Sequence, residues 1–497
     1  MRKSTFRLPS ALLLTVAGAF SQSLPTVKDW AGMTPAEKQV WGNFKVVWNG
    51  DSMRPEIRSQ VEQLNQAALA AVAAGDRMAS VKNVSHALTL MRGQDWTPQR
   101  AFSAAMTVDL DRAVLGPGEN VKVHLGQTFA LDEKLGAMKV AISLQEGSAG
   151  LRARDTELKF VDVANSDWSR TPVDVEVTLP NMPCGNCRIV VTIGDPPIRR
   201  AVPIRIVPGL ADLNKRIAAA NERITALEAK AKPDAKADLA AALAPIQYRL
   251  SLEDQASFNE ADAALGALEG GGNPWVAHRG DFRMAYRSAV DNTLQPYRLF
   301  IPSTYDGSKP YPLVLALHGA GRDENFYFDV QDGQMKSFAE KRGYIVACPR
   351  GRDPLSLYVG DGERDVLDVL ASVRASFKVD PARIYLAGHD MGGAAAWSIA
   401  IDRPGVFAAV AASAPSVFFL TPDDMASLKA VPQMVVQGDQ DTQVPVKQTR
   451  LFTEAARKAG AQVKYLEISG AGHGDVVAPA LAEMFDWFDA HRGAGAV

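Results

Sequence analysis

Arg383-Ile-Tyr-Leu-Ala-Gly-His-Asp-Met-Gly-Gly-Ala394 runs from a short apolar segment through Gly388-His389-Asp390-Met391-Gly392 into an Ala-rich, helix-forming one. It reads as a strand, a sharp turn and a helix. In the pattern G-x-S-x-G the middle residue sits on a strained strand-to-helix turn, and the flanking glycines are needed because a larger side chain would collide across it. The middle residue here is Asp390, not serine.

Three further stretches stand in order around that turn. Leu317-His318-Gly319-Ala320-Gly321 precedes it; Gly438-Asp439-Gln440-Asp441 and Gly470-Ala471-Gly472-His473-Gly474 follow. With these four motifs in register, residues of about 280 to 492 resemble the α/β-hydrolase fold, and within it the secreted esterase, feruloyl esterase and polyhydroxybutyrate depolymerase group. The resemblance implies an oxyanion loop at Ala320, a nucleophile position at Asp390, an acid at Asp441 and a catalytic histidine at His473, in this fold's chain order. The oxyanion donors would be the backbone N–H groups of Met391 and Ala320. Asp439 is expected to form the turn beside the acid. His318 is expected to shape its loop, and His389 to pack and hydrogen-bond.

The periodicity of the same region agrees with an α/β fold, a doubly wound and mostly parallel sheet. Apolar runs at 297–301, 313–317, 344–347, 384–386, 408–412, 434–437 and 463–468 predict strands, and helices are expected near 334–342, 361–377, 391–402, 446–458 and 476–490. His318, Asp390, Asp441 and His473 then fall at carboxyl ends of strands, where such sheets bind their ligands.

Asp390 admits three readings. In haloalkane dehalogenases and epoxide hydrolases, whose elbow also reads G-H-D, the aspartate attacks carbon and a histidine-activated water cleaves the alkyl ester. Those families carry a helical cap, whereas Ser413 and Asp441 are only 28 positions apart, and Met391 replaces the tryptophan of dehalogenases. In the second reading a serine esterase has lost its ordinary mechanism: His473, flanked by Asp390 and Asp441, favours its protonated form, one carboxylate oxygen fills the oxyanion hole, and the domain is an inactive, binding homologue. In the third, Asp390 and His473 position water for direct attack. Ester hydrolysis is the leading expectation, on a small-molecule or polymeric ester. Phe326, Tyr327, Phe328, Tyr358, Phe418 and Phe419 are candidates to line its pocket.

Upstream the patterns change. Residues 1–23 read as a secretory signal: Arg2, Lys3 and Arg7, a short apolar run from Ala11 to Phe20, and small residues at Ala19, Ser21 and Ser23. A periplasmic or extracellular protein is therefore expected. A helical segment is expected over 24–104, where Ile57, Val61, Leu64, Ala68 and Val72 recur at three and four and Gly75-Asp76 closes the run. Alternation at 121–125, 138–144, 173–179, 189–193 and 202–206 predicts an immunoglobulin-like β-sandwich over 105–208. Leu210 to Leu227 and a second stretch to Leu268, broken at Lys232-Pro233-Asp234, predict a helical hairpin or linker over 209–269, and Gly270-Gly271-Gly272-Asn273-Pro274 marks the start of the hydrolase-like domain at 275–492.

Composition excludes little. Of 497 residues 47% are hydrophobic and 22% charged, with a formal net charge of -2, so nothing draws the chain to nucleic acid, and no stretch is long enough to span a membrane. Cys184 and Cys187, in a turn between strands, are a disulfide candidate. A zinc site would need a second ligand pair, and the seven histidines offer no H-E-x-x-H spacing. Cys348 is expected to be a buried apolar residue at a strand end. No cofactor or metal is expected, and the sequence leaves the oligomeric state open.

Overall fold

A computed structural model describes residues 25–48, 55–133, 136–147, 154–164, 167–330 and 333–493. The expected signal segment, 1–23, lies outside them. The chain forms two compact units: one holds the helices before residue 49, residues 231–248 and everything from 266 on, and the other holds 50–230 and 249–265. The expected helical segment 24–104 thus divides. Helices α1 (Val27–Ala31) and α2 (Pro35–Trp48) belong with the hydrolase-like unit; α3 (Pro55–Ala73), α4 (Arg77–Met91) and α5 (Pro98–Ala105) belong to the other. Gly75 takes φ 74° and Asp76 caps α4 through Ala79 N–H at 3.0 Å, which is why the apolar run ends where it does.

The second unit is built on strands β1 (Met106–Leu110), β2 (Val114–Leu115), β3 (Asn120–Gln127), β4 (Met138–Glu146), β5 (Arg154–Val163), β6 (Val173–Thr178), β7 (Cys184–Ile193) and β8 (Ile198–Ile206). They form a three-stranded sheet, β1-β3-β6, and a five-stranded one, β2-β8-β7-β4-β5. Every second residue points inward, so Val121, Val123 and Leu125 meet Val140, Ile142 and Ile189 in one core. Strand β5 escapes the sequence pattern because it is an edge: its Lys, Asp and Glu face water and Phe160 is 58% exposed. Cys184 and Cys187, at the start of β7, are joined as a disulfide with their Cα atoms 5.9 Å apart.

The expected two-helix hairpin is three helices. After α6 (Leu210–Lys230) come α7 (Lys236–Leu250) and α8 (Gln255–Glu269). The break falls where Glu253 adopts φ 50° and Asp254 caps α8 through Ser257 N–H at 2.8 Å. Helix α6 pairs with α8, through Arg216 to Gln255 at 3.1 Å and Arg223 to Asp262, whereas α7 accepts the Trp275 indole N–H at the Ala242 carbonyl, 2.8 Å away.

The hydrolase-like unit carries the sheet that positions the site. Its strands are β9 (Gly280–Arg287), β10 (Leu294–Ile301), β11 (Tyr311–Leu317), β12 (Ile345–Pro349), β13 (Val379–His389), β14 (Ala409–Ser413), β15 (Gln433–Gly438) and β16 (Val463–Ile468), in the order β16-β15-β14-β13-β11-β12-β10-β9. Strands β11 to β16 pair in parallel, β10 runs against β12, and β9 pairs antiparallel with β10 at the edge. The intervening helices are α9 (Phe326–Asp329), α10 (Gln334–Arg342), α11 (Asp361–Ser376), α12 (Met391–Asp402), α13 (Val446–Lys458) and α14 (Val477–Asp489). This is the α/β-hydrolase fold. Strands β11, β12, β14 and β15 are buried at every residue, which accounts for their continuous apolar runs. Cys348 is 2% exposed within β12, and burial pushes its thiol pKa up.

Candidate active site

The turn between β13 and α12 is strained as the sequence requires. Asp390 has φ 56° and ψ -118°, outside the regions a side-chain-bearing residue normally adopts. A Cβ on Gly388 would overlap the Gly392 carbonyl, and one on Gly392 would overlap that of Leu317, so both glycines are sterically required. The turn is held by two backbone bonds, Asp390 N–H to Ser413 O at 2.9 Å and Ser416 N–H to Asp390 O at 3.0 Å.

The Asp390 carboxylate is claimed from two sides. Its Oδ2 accepts the Ala320 N–H at 2.8 Å, and its Oδ1 lies 3.7 Å from His473 Nε2. His473 Nδ1 bonds Asp441 Oδ2 at 2.8 Å. Asp441 is fixed in turn: Oδ1 accepts the N–H groups of Gln443 and Val444, both at 2.8 Å, and Oδ2 accepts Gln437 Nε2 at 3.0 Å. Burial raises the Asp441 carboxyl pKa, but the bonds from His473 and these amides outweigh it and hold the group below the ordinary carboxylate value. Burial also works against charge on His473, yet the bond to Asp441 and the charges of Asp390 and Asp441 prevail, and its pKa is raised. Asp390, Asp441, His473 and Ala320 thus converge, as the resemblance implies. Met391 opens α12, so its N–H heads the helix with no partner inside it.

The neighbouring polar residues fix loops. His389 Nε2 donates to the His473 carbonyl at 2.9 Å while its ring stacks on Phe326, and burial together with the charge of His473 lowers its pKa. His318 sits between the carbonyls of Gly319 and Arg350 at 2.9 and 2.8 Å. Asp439 accepts Gly470 N–H at 2.7 Å, tying the acid turn to the histidine loop.

A cavity of about 260 Å³ opens beside Met391, lined on one wall by Ala394, Ala395 and Ser398 of α12 and on another by Phe418 and Phe419. Tyr358 also borders it, whereas Tyr327 and Phe328 belong to the core under the sheet. Among the described residues no group of three His, Cys, Asp or Glu could hold a metal ion.

A buried charged residue against Phe418, one of the residues that line the cavity, carries no motif and is invisible in the sequence. Lys45, near the end of α2, is 5% exposed; its Nζ donates to the Val417 carbonyl and lies 3.5 Å above the centre of the Phe418 ring. Burial pushes its pKa well down, opposed by the charge of Asp390. The segment is anchored by Trp30, whose indole N–H meets Leu355 O at 3.1 Å and whose ring packs 5.5 Å from Phe418, and by Lys38, 2.8 Å from Asp353. No helical periodicity tells that residues over 300 positions away will surround one lysine.

Residues 356–479 match the dienelactone hydrolase family, the part of the chain that holds Asp390, Asp441 and His473. The match covers the site-bearing part of the α/β-hydrolase fold, from α11 to the start of α14. A curated relative is the bifunctional acetylxylan esterase/xylanase of Neocallimastix patriciarum, 26% identical over 209 residues, which are 36% of this chain and 30% of that protein. The chain therefore spans under a third of the relative it matches. Solved structures that align include a ferulic acid esterase from Anaeromyces mucronatus, at 16% identity and TM-score 0.37, covering 44% of this chain and 92% of the other. A thermostable esterase aligns over 78% of this chain and 99% of its own, at 14% identity and TM-score 0.39.

Proposed function

We propose that the protein is an exported hydrolase that cleaves carboxylic esters with water, Asp390 occupying the nucleophile position. The observation that carries this reading is the convergence of a histidine–carboxylate pair and a backbone N–H on one point at the elbow: His473 Nε2 at 3.7 Å and Ala320 N–H at 2.8 Å from the two oxygens of Asp390. A water bonded at about 2.8 Å to both Asp390 Oδ1 and His473 Nε2 would sit to one side of the 3.7 Å line that joins them. His473, oriented by Asp441, takes a proton from that water as it attacks the ester carbonyl, and the N–H groups of Ala320 and Met391 receive the developing oxyanion. The ester carbonyl must displace Asp390 Oδ2 from Ala320. The basic start, apolar run and small residues of 1–23 support export.

The seat of Oδ2 favours a second reading. With Oδ2 already on Ala320 N–H, Oδ1 is the free oxygen, and an alkyl ester formed on it would present its own carbonyl to the oxyanion donor without rearrangement. Esterification would also remove one negative charge from beside His473 and lower its proton affinity when a base is required. The substrate would then carry an electrophilic saturated carbon, as an epoxide or alkyl halide does.

The experiment is hydrolysis by the purified protein of short acyl nitrophenyl esters, beside epoxide and alkyl halide turnover. Ester cleavage abolished by His473→Ala is the expected result. Epoxide or halide turnover with added mass on the Asp390 peptide selects the second reading, and inertness toward all three sets removes both.

A further inference from the structure

The cavity beside Met391 is lined in part by two separate loops. One runs from Asp353 to Gly360, between β12 and α11, and its last four residues line the cavity; the other, Ser416 to Leu420, follows β14. The segment of α1 and α2 touches both. On the first loop, Lys38 pairs with Asp353 at 2.8 Å, and a Cβ on Gly360 would come within 3.3 Å of the Ala31 Cβ. On the second, Lys45 Nζ donates to Val417 O and stands 3.5 Å above the centre of the Phe418 ring. Trp30 bridges the two: its indole N–H reaches Leu355 O at 3.1 Å, and its ring lies 5.5 Å from Phe418 and 6.2 Å from Phe419. Phe418 lines the cavity, whereas Trp30 and Lys45 are not among the lining residues and hold that ring from behind. Trp30 is 1% exposed and Lys45 5%, so the ring has close-packed neighbours to lean on and little room to retreat.

We infer that residues 27–48 are a clamp that sets the size of the ester-binding cavity, with Trp30 and Lys45 as positioning residues for its wall at Phe418. The inference rests on the hydrolytic reading for the identity of the ligand. It narrows that ligand to esters whose apolar group, acyl or alkyl, is short enough to end against Phe418. Removing the indole leaves a void behind the wall, and a packed core relaxes into such a void in part, so Phe418 moves back and the cavity deepens. Removing the ammonium frees Val417 O and the ring face together. Neither change touches Ala320, Asp441 or His473, so the clamp acts on which ester fits rather than on the chemistry.

The test measures kcat/KM for nitrophenyl esters from acetate to decanoate, and for acetates from methyl to octyl, with parent, Trp30→Ala, Trp30→Phe and Lys45→Met. In one series the parent should break at a particular length, by about 10-fold for the methylene that no longer fits. Trp30→Ala and Lys45→Met should each move that break at least one methylene longer. Trp30→Phe keeps a ring against Phe418 and should return the break to the parent's position. Each break is a ratio within one variant, so loss of folded protein cancels from it. The absence of a break in the parent, or an unmoved break in both Trp30→Ala and Lys45→Met, overturns the inference. A second arm needs no turnover: with 4-fluorophenylalanine at position 418, straight-chain alcohols are titrated against its 19F line. The longest alcohol that shifts the line saturably should be longer in Trp30→Ala than in the parent by at least one methylene. The same limit in both, or no alcohol that shifts the line, overturns the inference whatever the activity. A lengthened limit in a protein inert toward every ester removes the hydrolytic reading and leaves the clamp.

Discussion

The Asp390 carboxylate accepts the Ala320 N–H at 2.8 Å, so the side chain at the nucleophile position occupies the oxyanion donor that an ester carbonyl would use. This relationship separates the site from that of a serine esterase more sharply than the change of nucleophile itself, and the first prediction follows from it. Asp390→Ser should raise the rate on short nitrophenyl esters by about 10-fold or more, because it replaces the water-positioning carboxylate with a hydroxyl that can itself attack, frees Ala320 and removes a negative charge from beside His473. Steady-state kinetics on parent and variant check this; an unchanged or lower rate in a folded variant counts against the proposed role of the hole.

The pH profile should report His473. Catalysis needs its neutral form, and its pKa is raised above the ordinary 6.5, so the acid limb of kcat/KM should lie above pH 6.5 and move down in Asp390→Ser. The stability linked to the same shift is fully present below the ordinary histidine value and is lost as pH rises through the higher folded value. A limb at or below pH 6.5 in the parent contradicts this assignment.

Gly388→Ala should cost about 3 kcal/mol or prevent folding, because the new Cβ meets the Gly392 backbone, which cannot move without unseating the start of α12. Urea unfolding of the parent and variant measures it. A loss under about 1 kcal/mol would mean the turn is looser than its dihedrals indicate.

Export should leave a mature chain that starts between residues 19 and 24, since the basic, apolar and small-residue segments meet there. N-terminal sequencing of protein recovered from the native host decides it, and an intact Met1 would remove the proposal.

The sheet was legible because strands buried on both faces write continuous apolar runs: Leu313 to Leu317 and Met434 to Gln437 fall inside β11 and β15. Strand β9 was not, because Arg283 and Arg287 interrupt an edge whose outer face is wet. The four converging positions at Ala320, Asp390, Asp441 and His473 were legible because short loops at strand ends carry local glycine patterns. What the pattern cannot carry is a contact made across hundreds of residues. Helix α2 buries Glu37, Lys38 and Lys45 together with Trp41 and Phe44, and only the fold reveals that Lys45 on it ends beside Phe418 and feels Asp390. The break before α8 hid for a different reason: Glu253 and Asp254 are common inside helices, and the turn there depends on a positive φ and one cap.

The most direct test of the account is a single turnover of a short ester by excess protein in 18O-water, followed by mass measurement of both the product acid and the Asp390 peptide. Attack by water positioned by His473 and Asp390 predicts one 18O in the product acid and none in the Asp390 carboxylate. Label in the Asp390 carboxylate, or no product acid at all, would contradict it.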